Sequence, residues 1–272
     1  MYRLLAMDLD GTLLRSDKTI SQQTEDLLTR LAGQGVYFVP CTGRTHIELP
    51  KVIRDLPFLN YAITTNGGGI YDYVNGKYIC SFGIDNRTSL KVLEAADSWP
   101  VYHTMVCNGK RLMQADETGS IPEFVIKHAA KGVINTAIAC PDLKQYLRDT
   151  GEDCQKILFY PVDAETGIEV IEKLREAFPE LAITKSGPLF VEVNAQSIDK
   201  GRTLNLLCEH LGLDISETAA FGDAENDIPL LDAAALAVVT ANGTEETKKH
   251  ADMICDSCDN DGVRKALEVI MK

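Results

Sequence analysis

The 272-residue sequence has no run of about 20 apolar residues, so no segment is predicted to cross a membrane as a helix. A basic, apolar leader is missing too. The first residues run directly into Leu4-Leu5-Ala6-Met7 and a pair of acids, which predicts a cytoplasmic protein. Basic side chains are the minority, 27 Lys and Arg against 40 Asp and Glu, giving a formal charge of −13. Such a surface repels nucleic-acid backbones and anionic membranes, so neither is expected as a partner. A small phosphorylated molecule is still admissible, because a cation with one or two basic side chains can reverse the field inside a cleft. Internal repeats and low-complexity linkers are absent. Gly67-Gly68-Gly69 has neither the G-x-G-x-x-G spacing nor the position after the first strand that a dinucleotide-binding turn needs. The eight cysteines are scattered, mostly within apolar segments, and Cys255 and Cys258 form the single CxxC. With no second pair and no nearby His, that motif is not expected to bind a metal.

What is present is the composition of an ordinary soluble protein, 45% hydrophobic and 25% charged, long enough for one large domain or two smaller ones. The first eighty residues alternate strand and helix. Periodicity predicts a strand over 3–9, a helix from the cap Ser21 to about Ala32, a strand over 36–41, a helix over about 46–55 and a short strand over 61–64. That order calls for a parallel sheet. Asn75-Gly76 and Asn108-Gly109 each sit between apolar runs as hairpin turns. Between 83 and 189 hairpins mix with helices, and from Lys200 the alternation returns. The expected fold is α/β: a Rossmann-like parallel-sheet core from residues 1–82 and 190–272, with an α+β domain, residues 83–189, inserted between them.

Ligands of an open parallel sheet gather at the carboxyl ends of its strands. The first strand ends in Asp8-Leu9-Asp10-Gly11-Thr12, where a period of two aims both carboxylates the same way and suits a hard divalent cation. Gly11 permits a tight turn, and Thr12 can satisfy nearby main-chain groups. The strand over 36–41 leads to Thr42-Gly43-Arg44, whose hydroxyl and N–H groups could hold a phosphate oxygen or simply cap a helix. Lys200 stands at a helix start, the wrong end for a cation by the dipole rule. Asp223, Asn226 and Asp227 follow the strand over 219–221 and supply further carboxylates, or helix caps.

Together these segments resemble the haloacid dehalogenase-like superfamily of phosphohydrolases. Asp8-Leu9-Asp10-Gly11-Thr12-Leu13 is similar to its first motif, Cys41-Thr42-Gly43-Arg44 to its second, Asp199-Lys200-Gly201 to its third, and Gly222-Asp223-Ala224-Glu225-Asn226-Asp227 to its fourth. The insertion between the second and third motifs resembles the large C2-type cap of the Cof-like branch, subclass IIB. One departure is Val239-Thr240-Ala241-Asn242-Gly243, where that branch often has Ala-Met-Gly-Asn, so no ligand role is carried onto this loop.

The resemblance implies a Mg²⁺-dependent phosphatase of a small phosphorylated metabolite, such as a sugar phosphate or pyridoxal phosphate. Asp8 is implied as the nucleophile that forms an aspartyl-phosphate, and Asp10 as the proton shuttle, kept protonated by anionic surroundings. Mg²⁺ would be held by Asp8, the backbone carbonyl of Asp10 and Asp223, with Asp227 orienting its waters. Thr42, Gly43, Lys200 and Asn226 would bind the phosphate; Arg44 is left without a role. The same residues also suit a phosphomutase or phosphotransferase, and a non-catalytic phospho-ligand sensor is a third possibility. Substrate, oligomeric state and the cap residues that touch substrate are not legible.

Overall fold

A computed structural model describes residues 2–116, 118–128, 131–187, 189–196 and 198–272. Its strands are β1 (Leu4–Met7), β2 (Tyr37–Pro40), β3 (Tyr61–Thr64), β4 (Gly69–Asp72), β5 (Lys77–Ser81), β6 (Val101–Cys107), β7 (Lys110–Gln114), β8 (Ile138–Cys140), β9 (Cys154–Pro161), β10 (Leu181–Gly187), β11 (Phe190–Ala195), β12 (Thr218–Gly222), β13 (Leu236–Thr240) and β14 (Met253–Cys255). The chain divides into two compact units, Met1–Arg44 with Leu49–Cys80 and Ile198–Lys272, and Thr45–Glu48 with Ser81–Ser197.

In the first unit a five-stranded sheet runs β14-β13-β12-β1-β2, every pairing parallel. All four residues of β1 are buried, as expected of a strand covered on both faces. Leu5 and Met7 point to one side, where they join Leu27, Leu28 and Leu31 of the helix Gln22–Gly33 and Val263, Ala266 and Leu267 of the helix Gly262–Ile270. Leu4 and Ala6 point to the other, against Leu204 and Leu207 of the helix Lys200–Leu211 and Leu230 and Leu231 of the helix Ile228–Ala233. A parallel-sheet α/β core with helices on both faces is therefore present, as the alternation predicted. Strands β3, β4 and β5 form a separate small sheet, tied to β2 by a single parallel bridge from Cys41 to Ile63.

The second unit is built on a six-stranded, mainly antiparallel sheet ordered β10-β11-β9-β6-β7-β8. Asn108 and Gly109 take positive φ (48° and 72°) in the tight turn between β6 and β7, the conformation their side chains tolerate best. The boundary expected at 190 is too early. Phe190–Ala195 pairs with both β10 and β9 and so belongs to the inserted sheet; the return to the core comes at Ile198. Apolar alternation cannot tell which sheet a strand joins, which is why the hairpin was split.

Two further differences have local causes. The helix expected over 46–55 is only Lys51–Arg54, because Pro50 disfavours helical geometry before it and residues 45–48 form a turn in which Glu48 accepts the Thr45 N–H (2.8 Å). Residues 131–155, for which no element was expected, hold the helix Lys131–Thr136, β8 and the helix Leu143–Thr150, the last capped by Asp142 and stopped by left-handed Gly151. The helix expected over 121–130 is Glu123–His128; Ala129 and Ala130 lie outside the described residues.

Candidate active site

Strand β1 ends at Met7, but Asp8 still donates its N–H to the Phe221 carbonyl of β12 (2.9 Å). Alternation puts Asp8 on the side of Leu4 and Ala6, facing the helix Lys200–Leu211. Asp199 caps that helix by accepting the Arg202 N–H (2.7 Å), which fixes Lys200 as its first residue. Fully buried, Lys200 places Nζ 2.7 Å from Asp8 Oδ1 and 2.5 Å from Asp227 Oδ1. Burial disfavours the ammonium, yet Asp227 and Asp8 together push the Lys200 pKa above its ordinary value. For Asp8 burial dominates: it lifts the carboxyl well above the usual range, Lys200 opposes the rise, and Asp227 and Asp223 add to it.

Asp227 also shapes the loop after β12, since its Oδ2 accepts the N–H groups of Asp223 (3.0 Å) and Ala224 (3.1 Å). Asp223 accepts the Thr12 hydroxyl (2.8 Å), so Thr12 serves a side chain and not the main-chain groups expected of it. Burial moves the Asp223 pKa up to about 6; the Thr12 hydrogen bond opposes this and the Asp227 charge reinforces it. One carboxylate oxygen each from Asp8, Asp223 and Asp227 lie within 4.8 Å of one another, the only such cluster of potential ligands among the described residues. Three acids so close repel, and their oxygen-only donor set fits a hard divalent cation. Cys255 and Cys258 lie outside it as free, buried thiols.

Asp10 is placed differently from the expectation. The chain turns after Asp8, Gly11 takes φ +93°, and the period-two argument stops before it reaches Asp10. Its carboxylate goes to cations instead of anions: Arg44 Nε donates to Oδ2 (2.7 Å), Arg44 Nη2 to Oδ1 (3.0 Å) and Lys18 Nζ to Oδ1 (2.8 Å). Burial raises its pKa, but the hydrogen bonds and charges of Arg44 and Lys18 hold it below the usual range. As a carboxylate it is not part of the acid cluster, which leaves only its main-chain carbonyl for the metal role expected of it.

Thr42 is buried, donates its N–H to Ile63 (2.9 Å), and accepts the Arg44 N–H on its hydroxyl (3.2 Å). A Cβ on Gly43 would stand 3.0 Å from Asn66 Oδ1, the same oxygen that accepts from Asn226 Nδ2 (3.2 Å). Asn66, left-handed at φ 57°, thus links the loops after β2 and β12. In the sequence it stands just before Gly67-Gly68-Gly69, and no role was expected of it. Lys18 carried no signal, lying in a loop eight residues beyond Asp10. The loop given no ligand role has a structural one: Asn242 Nδ2 (2.7 Å) and Thr240 Oγ1 (3.2 Å) both donate to the Gly11 carbonyl and so hold the turn that follows Asp10.

A family profile for haloacid dehalogenase-like hydrolase matches residues 5–267, and the chain belongs to that family. Its sequence is similar to the 5-amino-6-(5-phospho-D-ribitylamino)uracil phosphatase YcsE of Bacillus subtilis, 29% identical over 97% of this chain and 94% of that protein. Among solved structures it is similar to a haloacid dehalogenase-like hydrolase from Bacteroides thetaiotaomicron, 27% identical with a TM-score of 0.86 over 99% of this chain and 100% of the other. It also shares the fold of the subclass IIB sugar phosphatase BT4131, with a TM-score of 0.80 at 22% identity over 98% of both chains.

Proposed function

We propose that this chain is a Mg²⁺-dependent phosphomonoesterase of a small phosphorylated metabolite, acting through an aspartyl-phosphate on Asp8. The observation that carries the reading is Lys200, buried between Asp8 and Asp227 while Asp223 closes the cluster. Asp8, Asp223 and the Asp10 carbonyl would hold Mg²⁺, with Asp227 supporting them through Lys200 and the loop N–H groups. Bound there, the ion would screen the carboxylates and the anionic phosphoryl oxygens from one another.

The chain's own groups supply the rest. Asp8, with Oδ1 anchored by Lys200, presents a carboxylate that attacks phosphorus and expels the alcohol. Lys200 offsets the repulsion of carboxylate for phosphate, which at about 4 Å costs several kcal/mol even at an effective dielectric near 20. Thr42, the Gly43 N–H and the Asn226 amide stand as donors to phosphate oxygens. A phosphate that draws Arg44 and Lys18 to itself strips Asp10 of the partners that keep it ionised, and its pKa then rises toward a proton-donating state. Asp10 can give that proton to the leaving oxygen and later recover one from the attacking water.

The test is release of inorganic phosphate from p-nitrophenyl phosphate with Mg²⁺ by the full chain and by Asp8→Asn. Release by the wild type and none by the variant is expected. Full activity in Asp8→Asn would refute the nucleophile assignment, and isomerised sugar phosphate without free phosphate would favour a mutase.

A further inference from the structure

The loop after β3 holds a backbone that local preference opposes. Thr65, Asn66 and Gly67 take φ of +51°, +57° and +100° in succession. Asn and Gly tolerate the left-handed region, but a β-branched residue there is an outlier. Thr65 is also buried, and its Oγ1 has no hydrogen-bond partner. Unfavourable backbone of this kind persists where surrounding contacts over-determine it, and it gathers at functional sites.

The contacts of this loop reach three of the segments that carry the candidate site. Thr65 donates its N–H to the Arg44 carbonyl (2.9 Å) and Asn66 its N–H to the Thr42 carbonyl (3.0 Å), so the loop rides on the segment that follows β2. The Gly67 carbonyl accepts the hydroxyl of Thr203 (2.7 Å), on the helix that begins at Lys200. The Asn66 side chain supplies the third link. Its Oδ1 lies 3.0 Å from where a Cβ of residue 43 would stand and accepts from Asn226 Nδ2 (3.2 Å). That is the one hydrogen bond the exposed Asn226 side chain makes among the described residues.

We propose that Asn66 is a positioning residue for phosphate binding: its Oδ1 turns the Asn226 amide so that a second N–H, and not the carbonyl oxygen, meets a phosphate oxygen. The inference rests on the phosphatase reading and adds a residue to its phosphate cradle. A carboxamide has two ends of similar size, one donating and one accepting, and an unheld one can offer its oxygen to an anion, which repels it. Asn66 Oδ1 can only accept, so the end of Asn226 that faces it is the NH₂. One N–H is then taken and one is left. The Asn66 N–H on the Thr42 carbonyl ties this orientation to the segment that carries Thr42 and Gly43, the other donors to phosphate. The backbone alone does not call for Asn at this position. Gly suits a positive φ at least as well, so what Asn66 adds is its amide.

The experiment is a double-mutant cycle in the full chain with Mg²⁺, reading kcat and KM on p-nitrophenyl phosphate. Asn66→Gly keeps the left-handed backbone and removes the oxygen, and its kcat/KM should fall about tenfold. In an Asn226→Ala background the same change should alter kcat/KM by less than about twofold, because no amide remains to be oriented. The rise in melting temperature caused by inorganic phosphate with Mg²⁺ follows the same cycle without needing turnover: Asn66→Gly should shrink it in the wild-type background and leave it unchanged in Asn226→Ala. A purely structural effect, including loss of folded protein, lowers activity by the same factor in both backgrounds. Equal factors would therefore overturn the proposal, as would wild-type kcat/KM and phosphate response in Asn66→Gly. A wild type that releases no phosphate overturns the phosphatase reading itself, and this inference with it.

Discussion

Lys200 Nζ and Asp8 Oδ1 lie 2.7 Å apart although 192 residues separate them in sequence, and the lysine has no exposure to solvent. Replacing Lys200 by Met leaves Asp8 and Asp227 buried together without their shared cation. Loss of one partner of such a pair costs about 3–5 kcal/mol. Urea unfolding should show that loss, and phosphate release should drop at least tenfold in whatever fraction stays folded; a Lys200→Met protein with wild-type stability would refute the account of the triad.

Mutual repulsion among Asp8, Asp223 and Asp227 predicts a stability that responds to divalent cations without any substrate. Added MgCl₂ should raise the melting temperature, as a ligand of the native state does. Chelation should abolish phosphate release, and Mg²⁺ should restore it. Asp223→Asn should lose most of the thermal response. An equal response in the variant would place the ion elsewhere.

The ion pair of Glu48 and Arg111 gives a pH dependence of defined sign. Burial opposes ionisation of Glu48, but Arg111 and the Thr45 N–H outweigh it, so the folded pKa lies below the ordinary one. The pair therefore stabilises the fold above the ordinary glutamate value of about 4.3 and loses that contribution as pH falls through the folded pKa. The difference in urea midpoint between wild type and Glu48→Gln should be largest near neutrality and shrink between about pH 5 and 3. A difference constant across that range would show that Glu48 titrates alike in the folded and unfolded chains, which would refute the ion-pair account.

Gly67 and Gly212 both have positive φ, at +100° and +64°, but differ in surroundings. A Cβ at Gly67 would stand 2.2 Å from the Asp199 carbonyl, next to Lys200, while one at Gly212 meets nothing within 4 Å. Each Ala substitution carries left-handed strain of about 1–2 kcal/mol. Only Gly67→Ala should also displace Lys200 and lower kcat, by roughly tenfold if Lys200 supplies as little as 1.4 kcal/mol in the transition state. Equal kcat in the two variants would count against the importance of that contact.

Much of this site is legible in the sequence because the chemistry sits at strand ends, and strand ends can be found from alternation and glycine. Asp8, Thr42 and Asp223 stand out that way and Lys200 by its place at a helix start, and the core strands around them were nearly right. What local pattern does not carry is side-chain direction past a strand's last residue. Asp10 was expected beside Asp8, but the chain has left the strand after Met7, and the Asp10 carboxylate goes to Arg44 and Lys18 instead. Asn66 and Asn242 act through contacts reaching 160 and 231 residues along the chain, which no local window contains. The misplaced boundary at 190 has the same origin, since an alternating strand does not announce its partner.

The strand order β14-β13-β12-β1-β2 places β1 between β2, which follows it closely in sequence, and β12, which comes only after the whole inserted unit. Residues 81–197 are contiguous and hold nearly all of their unit, so their contacts can close before residues 198–272 have been made. Asp8 must wait for residues 200, 223 and 227 before its charge has a partner. A nascent or truncated chain ending before Lys200 therefore carries an intact first motif whose Asp8 has neither its cation nor its companion acids.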